Sequence, residues 1–150
     1  MRKLAAHTAM LPSQASAQVP IQTFLAFDFG LRRVGVAAGN TLTRTAQPLG
    51  TLSSSGDARF ADIARLVAEW QPSALVVGVP FHPDGADHEN TLRARKFARQ
   101  LHGRHQLAVH EVDERYTSVE AQSHGADDLD AVSAALILEQ YLRCNAATAP

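Results

Sequence analysis

The sequence predicts an α/β domain: a mixed five-stranded sheet with helices on both faces. Three observations predict it. Short apolar runs and amphipathic stretches follow one another in the order β-β-β-α-β-α-β-α-α. The first two runs are joined only by a short glycine-containing turn, as in an antiparallel hairpin. Leu75-Val76-Val77-Gly78-Val79 is continuously apolar, the pattern of a central strand covered on both sides. At 150 residues and 45% apolar content, the chain suits one compact domain, and two would be cramped.

Residues 1–22 are rich in Ala, Ser, Gln and Thr without periodicity, so a disordered N-terminal tail is expected there. Arg2 and Lys3 resemble a positive leader, but no continuous apolar core follows as an export signal needs, and Met10 offers an alternative start. Phe24 to Phe27 then reads as a buried strand ending on Asp28. Gly30 allows a tight reversal, and Val34, Val36 and Ala38 alternate with small residues in a second strand. Asp28 is thereby fixed at a strand end, where it serves either the turn itself or as an oxygen ligand for magnesium.

Ala46 to Ser53 offers a third strand, broken by Ser53-Ser54-Ser55-Gly56. Phe60, Ile63, Ala64, Val67 and Trp70 recur at helical spacing, with Trp70 assigned to the core, and Pro72 ends that helix. After the central strand, Phe81 to Asp87 is a loop by its Pro and Gly content, and a helix begins near Asn90 or Thr91. Leu92, Phe97 or Ala98, and Leu101 make its predicted core stripe. Its other face is basic: Arg93, Arg95, Lys96, Arg99 and Arg104 stand against Asp87 and Glu89, a pattern equally usual for a solvated face.

Leu107 to Val112 forms the last strand and leads into Asp113-Glu114. Thr117 or Ser118 can cap a short helix that His124-Gly125 closes. The final helix runs from about Asp127 or Asp128 to Arg143, with those two aspartates read as helix-start caps and a small, broadly apolar surface suited to close packing. The domain therefore spans 23–144, with a flexible tail over 145–150.

Charge is nearly balanced, 14 basic against 15 acidic residues, so an indiscriminate nucleic-acid coat is excluded and any such partner must be held by a local patch. The lone Cys144 excludes an internal disulfide, and no stretch approaches a membrane span; cytoplasm is the expected compartment. His102 and His105 could share a helix face, but the spacing supplies no further zinc ligands nearby. No Gly-x-Gly-x-x-Gly opens a helix after a strand, which argues against a dinucleotide fold.

Three acids recur at element ends: Asp28 after the first strand, Asp113 or Glu114 after the last, and Asp130 at the start of the final helix. If those elements are neighbours, the carboxylates meet at one rim and select a hard cation such as Mg²⁺ or Mn²⁺. The stretch Asp28-Phe29-Gly30-Leu31-Arg32-Arg33-Val34-Gly35-Val36-Ala37 resembles the opening motif of the YqgF (RuvX-like) family of RNase H-fold nucleases. Val76 to Pro80 with Asp84-Gly85, Val112 to Ser118, and Asp130 to Leu142 resemble its later motifs, in the same order.

That resemblance implies an RNase H-like domain that processes the 5′ end of precursor 16S ribosomal RNA, or, in an older proposal, resolves four-way DNA (Holliday) junctions. Its metal-binding and catalytic acids fall on Asp28, Glu114 and Asp130, with Asp113 the weaker match for the middle place. Two Mg²⁺ or Mn²⁺ ions would activate a water and stabilise the departing oxygen, at least one of them completed by substrate phosphate. Arg32, Arg33, Arg93, Lys96 and Arg99 become candidates to hold backbone phosphates, and Arg115 either joins them or locks the acids. Association with a pre-ribosomal particle, and a monomer or weak dimer, are expected. The segment Ala121 to Ala126 departs from the family in being short and free of Lys and Arg. That departure keeps open a module that binds nucleic acid without cutting. An ATPase of the actin and hexokinase type also begins with Asp-x-Gly in a hairpin, but needs two such domains to enclose its nucleotide.

Overall fold

The computed structural model describes residues 20–80, 89–113 and 128–148. The elements are β1 (Thr23–Asp28), β2 (Val34–Asn40), β3 (Ala46–Leu52), α1 (Gly56–Trp70), β4 (Ala74–Val79), α2 (Glu89–His105), β5 (Ala108–Asp113) and α3 (Leu129–Thr148). The strands form the predicted mixed five-stranded sheet, in the order β3-β2-β1-β4-β5. β1, β2 and β3 pair antiparallel, whereas β1 with β4 and β4 with β5 are parallel. The loop expected at 81–87 and the short helix expected near 118–125 lie outside the described residues.

Strand alternation sends side chains of the central strands into two cores. Leu25, Phe27, Val36, Leu75 and Val77 pack with Ile63 of α1 and Phe97 and Leu101 of α2. Phe24, Ala26 and Val76 pack with Ile137, Leu138 and Leu142 of α3 on the other face. Phe97 is the aromatic hub of the first core, with ring centroids 6.0 Å from Phe27, 5.0 Å from Phe29 and 6.0 Å from Phe60. Pro48 lacks a backbone donor and is tolerated because β3 is an edge strand. The β2–β3 register shifts between Val36 and Ala37, where Gly50 takes φ 150° in the bulge.

The helices follow the predicted pattern with three corrections. α1 ends as expected before Pro72, its C-cap Gln71 in the left-handed region at φ 47° with its N–H donating to the Val67 carbonyl. Ala64, expected in the core, is exposed, while Arg59 of the first turn is buried. In α2 the inward positions are Thr91, Ala94, Phe97, Ala98 and Leu101, and Leu92 is 51% exposed. The helix takes that phase because the Thr91 hydroxyl, donating to the Pro80 carbonyl at 3.0 Å, is turned to the sheet, which rotates its neighbour outward. α3 continues past Arg143 to Thr148, so residues 145–148 of the expected tail are helical; neither Gly nor Pro interrupts them.

Candidate functional site

Asp28 closes β1 on the same alternation as Phe24 and Ala26, which places it on the α3 face of the sheet. Its partner in the ladder is Gly35, the second residue of β2. A Cβ built on Gly35 would lie 1.8 Å from the Asp130 carbonyl oxygen and 2.8 Å from the Ala131 nitrogen. Only a residue without a side chain leaves room there. Directly opposed residues in an antiparallel pair hold their Cβ positions about 4.5–5.5 Å apart, so the first turn of α3 borders Asp28. The backbone of one predicted acid, Asp130, thus packs against the ladder partner of another, Asp28.

That first turn has its own cap. The Asp128 carboxylate accepts the Ala131 N–H at 3.1 Å and the Thr51 hydroxyl, while the Asp128 carbonyl accepts the Val132 N–H at 3.1 Å. Asp128 thus does the capping expected of it, and Asp127 lies outside the described residues. The division of labour leaves the Asp130 side chain for another partner. It is Arg33, whose Nε stands 3.1 Å from Asp130 Oδ2.

The turn between Asp28 and Arg33 is held from the α1 side by a residue that sequence reasoning missed. Arg59, 6% exposed, donates from Nη1 to the Gly30 carbonyl at 3.2 Å and from Nη2 to the Leu31 carbonyl at 2.9 Å. Its Nε donates to the Ser54 carbonyl at 3.0 Å, and its guanidinium lies 5.8 Å from the Phe29 ring centroid. Burial lowers its pKa from the usual arginine value. In the sequence it is one polar residue in a helical first turn, and nothing local signals its role.

Asp113 does not join the pair. On β5, His110 stacks on Tyr141 of α3 and Val112 enters the α3 core, whereas Glu111 pairs with Arg95 of α2 at 3.4 Å. Alternation puts Asp113 with Glu111, on the face away from Asp28. Glu114 and Arg115 lie outside the described residues. Among the described residues no group of three His, Cys, Asp or Glu is placed to hold a metal.

The basic residues divide in the same way. Arg32 and Arg33 sit at the rim, both exposed. On α2, in the opposite layer, Arg93 pairs with Glu89, and the Arg104 guanidinium lies 4.0 Å from the Phe60 ring centroid. Lys96 and Arg99 are exposed. Thr91 anchors the start of α2 at the end of β4, so Lys96 and Arg99 lie about 7 and 12 Å farther along the helix axis, away from the rim.

Comparison with known proteins agrees with this architecture. A solved structure described as "T. thermophilus RuvC in complex with Holliday junction substrate" superposes with a TM-score of 0.56 at 13% identity, covering 85% of this chain and 97% of that one. The yeast mitochondrial Holliday junction resolvase Ydc2 gives 0.50 at 13% identity, covering 82% and 78%. These likenesses establish the shared fold, an RNase H-like one. In sequence, the chain is 68% identical over 123 residues to a protein of Albidiferax ferrireducens named "Putative pre-16S rRNA nuclease", covering 82% of this chain and 79% of that protein. A protein of the same name from Polaromonas sp. is 64% identical, covering 82% and 89%. The family described as "RuvX: Holliday junction resolvase" matches residues 22–144, and the chain belongs to that family.

Proposed function

We propose that the chain is a divalent-metal-dependent nuclease that hydrolyses phosphodiester bonds at the rim formed by β1 and α3, acting on the 5′ region of precursor 16S ribosomal RNA. The observation that carries this reading is the seating of the α3 first turn on Gly35, which sets the Asp130 backbone against the ladder partner of Asp28. The substrate follows the name borne by relatives up to 68% identical. A pre-ribosomal particle in the cytoplasm is then the natural partner.

The donor chemistry fits a hard cation: two carboxylates at the rim, with no imidazole or thiolate set among the described residues to favour a softer metal. Asp28 and Asp130 would hold the metal. Glu114 is assigned the third place because Asp113 stands on the opposite face. A bound Mg²⁺ or Mn²⁺ would activate water and stabilise the departing oxygen. Asp28, on a strand paired on both sides, would be a rigid ligand, and Asp130 would join it from a helix start already fixed by the Asp128 cap and the Gly35 contact. Arg32 and Arg33 flank the pair and are suited to backbone phosphates, with Arg93 the nearest contributor from α2. Lys96 and Arg99 are assigned to a longer substrate's outer contacts, and Arg115 to the neighbourhood of Glu114.

The test compares a precursor 16S 5′-leader RNA with a four-way DNA junction, in Mg²⁺ or Mn²⁺, for wild type and Asp28→Asn. Cutting of the RNA that needs both metal and Asp28 is the expected result. Preference for the junction would favour the second reading, which the family's description as a resolvase supports. Binding of either without cutting would replace both by a non-catalytic module.

A further inference from the structure

We propose that Arg33 is an exchangeable partner of Asp130: it holds that carboxylate in the metal-free protein, yields it to a divalent cation, and then presents its guanidinium to a substrate phosphate. This rests on the metal-dependent reading above. Arg33 Nε lies 3.1 Å from Asp130 Oδ2, with the two side chains 66% and 32% exposed. Two carboxylates at one rim repel each other, and a cation relieves the repulsion. The guanidinium supplies that positive charge where the metal would.

An ion pair this exposed is weak, so a divalent cation bound by two or more carboxylates displaces it. The displacement takes the whole guanidinium away from the carboxylate. It must be a movement of the side chain. The backbone on either side is fixed: Arg59 clamps the Gly30 and Leu31 carbonyls, and Val34 is fully buried. Only rotation about the Arg33 side-chain bonds remains, which leaves the released guanidinium at the rim, next to the bond to be cut.

Titration of the intact protein with MnCl₂ by calorimetry tests the exchange in wild type, Arg33→Gln, Asp28→Asn and Asp130→Asn. Arg33→Gln is expected to bind Mn²⁺ about two- to fivefold more tightly, since the competing cation is gone. Asp28→Asn and Asp130→Asn are expected to bind it more weakly. Unchanged or weaker binding by Arg33→Gln, with the aspartate variants impaired, overturns the exchange and leaves the metal site standing. Wild-type binding by both aspartate variants overturns the metal site and the exchange together. In saturating Mn²⁺, Arg33→Gln is expected to raise KM for the leader RNA about three- to tenfold; an unchanged KM overturns the phosphate contact.

Discussion

Gly35 of β2 and Asp130 of α3 touch through their backbones, with 1.8 Å between a Cβ built on Gly35 and the Asp130 carbonyl oxygen. No rotamer change relieves such a contact, because both sides are main chain. Gly35→Ala is expected to push the start of α3 off the sheet and to cost about 1–3 kcal/mol, the usual range for overpacking a tight site. Urea unfolding reads the stability. Mn²⁺ titration reads the consequence for the carboxylate pair, and a variant unchanged in both would show that α3 is not seated there.

Arg59→Met keeps most of the side-chain length and removes three hydrogen bonds to carbonyls of the loops before β2 and α1. A loss of about 2–4 kcal/mol is expected, since bonds made by a charged donor are the stronger kind and their acceptors are left partly buried. Lysine offers one ammonium where the guanidinium forks to three carbonyls, so Arg59→Lys should recover less than half of the loss. Denaturant midpoints of the three proteins decide the matter.

Phe97 joins Phe27, Phe29 and Phe60 into one aromatic cluster under α2. Phe97→Ala should cost about 3–5 kcal/mol, the range for deleting a buried aromatic ring. A loss below 1 kcal/mol in the same unfolding assay would mean that the cluster repacks without its hub.

His105 is half-buried at the end of α2, its Nε2 without a hydrogen-bond partner among the described residues. Desolvation, with Arg104 nearby, lowers its pKa from the ordinary histidine value. The unfolded chain therefore binds its proton more readily than the folded one. The stability linked to this group is complete above about pH 6.5 and declines as pH falls through the unfolded value toward the lowered one. His105→Phe should flatten the acid limb of a melting-temperature profile between pH 7 and 5; an unchanged slope would assign that limb to other groups.

Much of this was readable beforehand, for identifiable reasons. The strands announced themselves because apolar runs of strand length were bounded by Gly, Pro and Ser, and Asp28 and Asp130 were visible as acids at element ends. Their convergence needed more. That Asp113 faces away from Asp28 turns on strand parity, which shows only once His110, Glu111 and Val112 have declared their faces. Leu92 was misplaced because apolar character alone does not fix helical phase, and the Thr91 hydroxyl decided it. Arg59 was illegible for a different reason: its acceptors lie 28 and 29 residues away, and no local pattern encodes such a meeting.

Asp28 stands in the first strand of the sheet and Asp130 in the helix that covers its far face, with both parallel strands made in between. During synthesis, a growing chain carries the first carboxylate for most of its length before the second emerges. Until then Phe24, Ala26 and Val76 lack the helix that covers them, and β1, already paired with β2, gains its parallel partner only with β4. On the function proposed above, completion of the fold and completion of the metal site would then be one event.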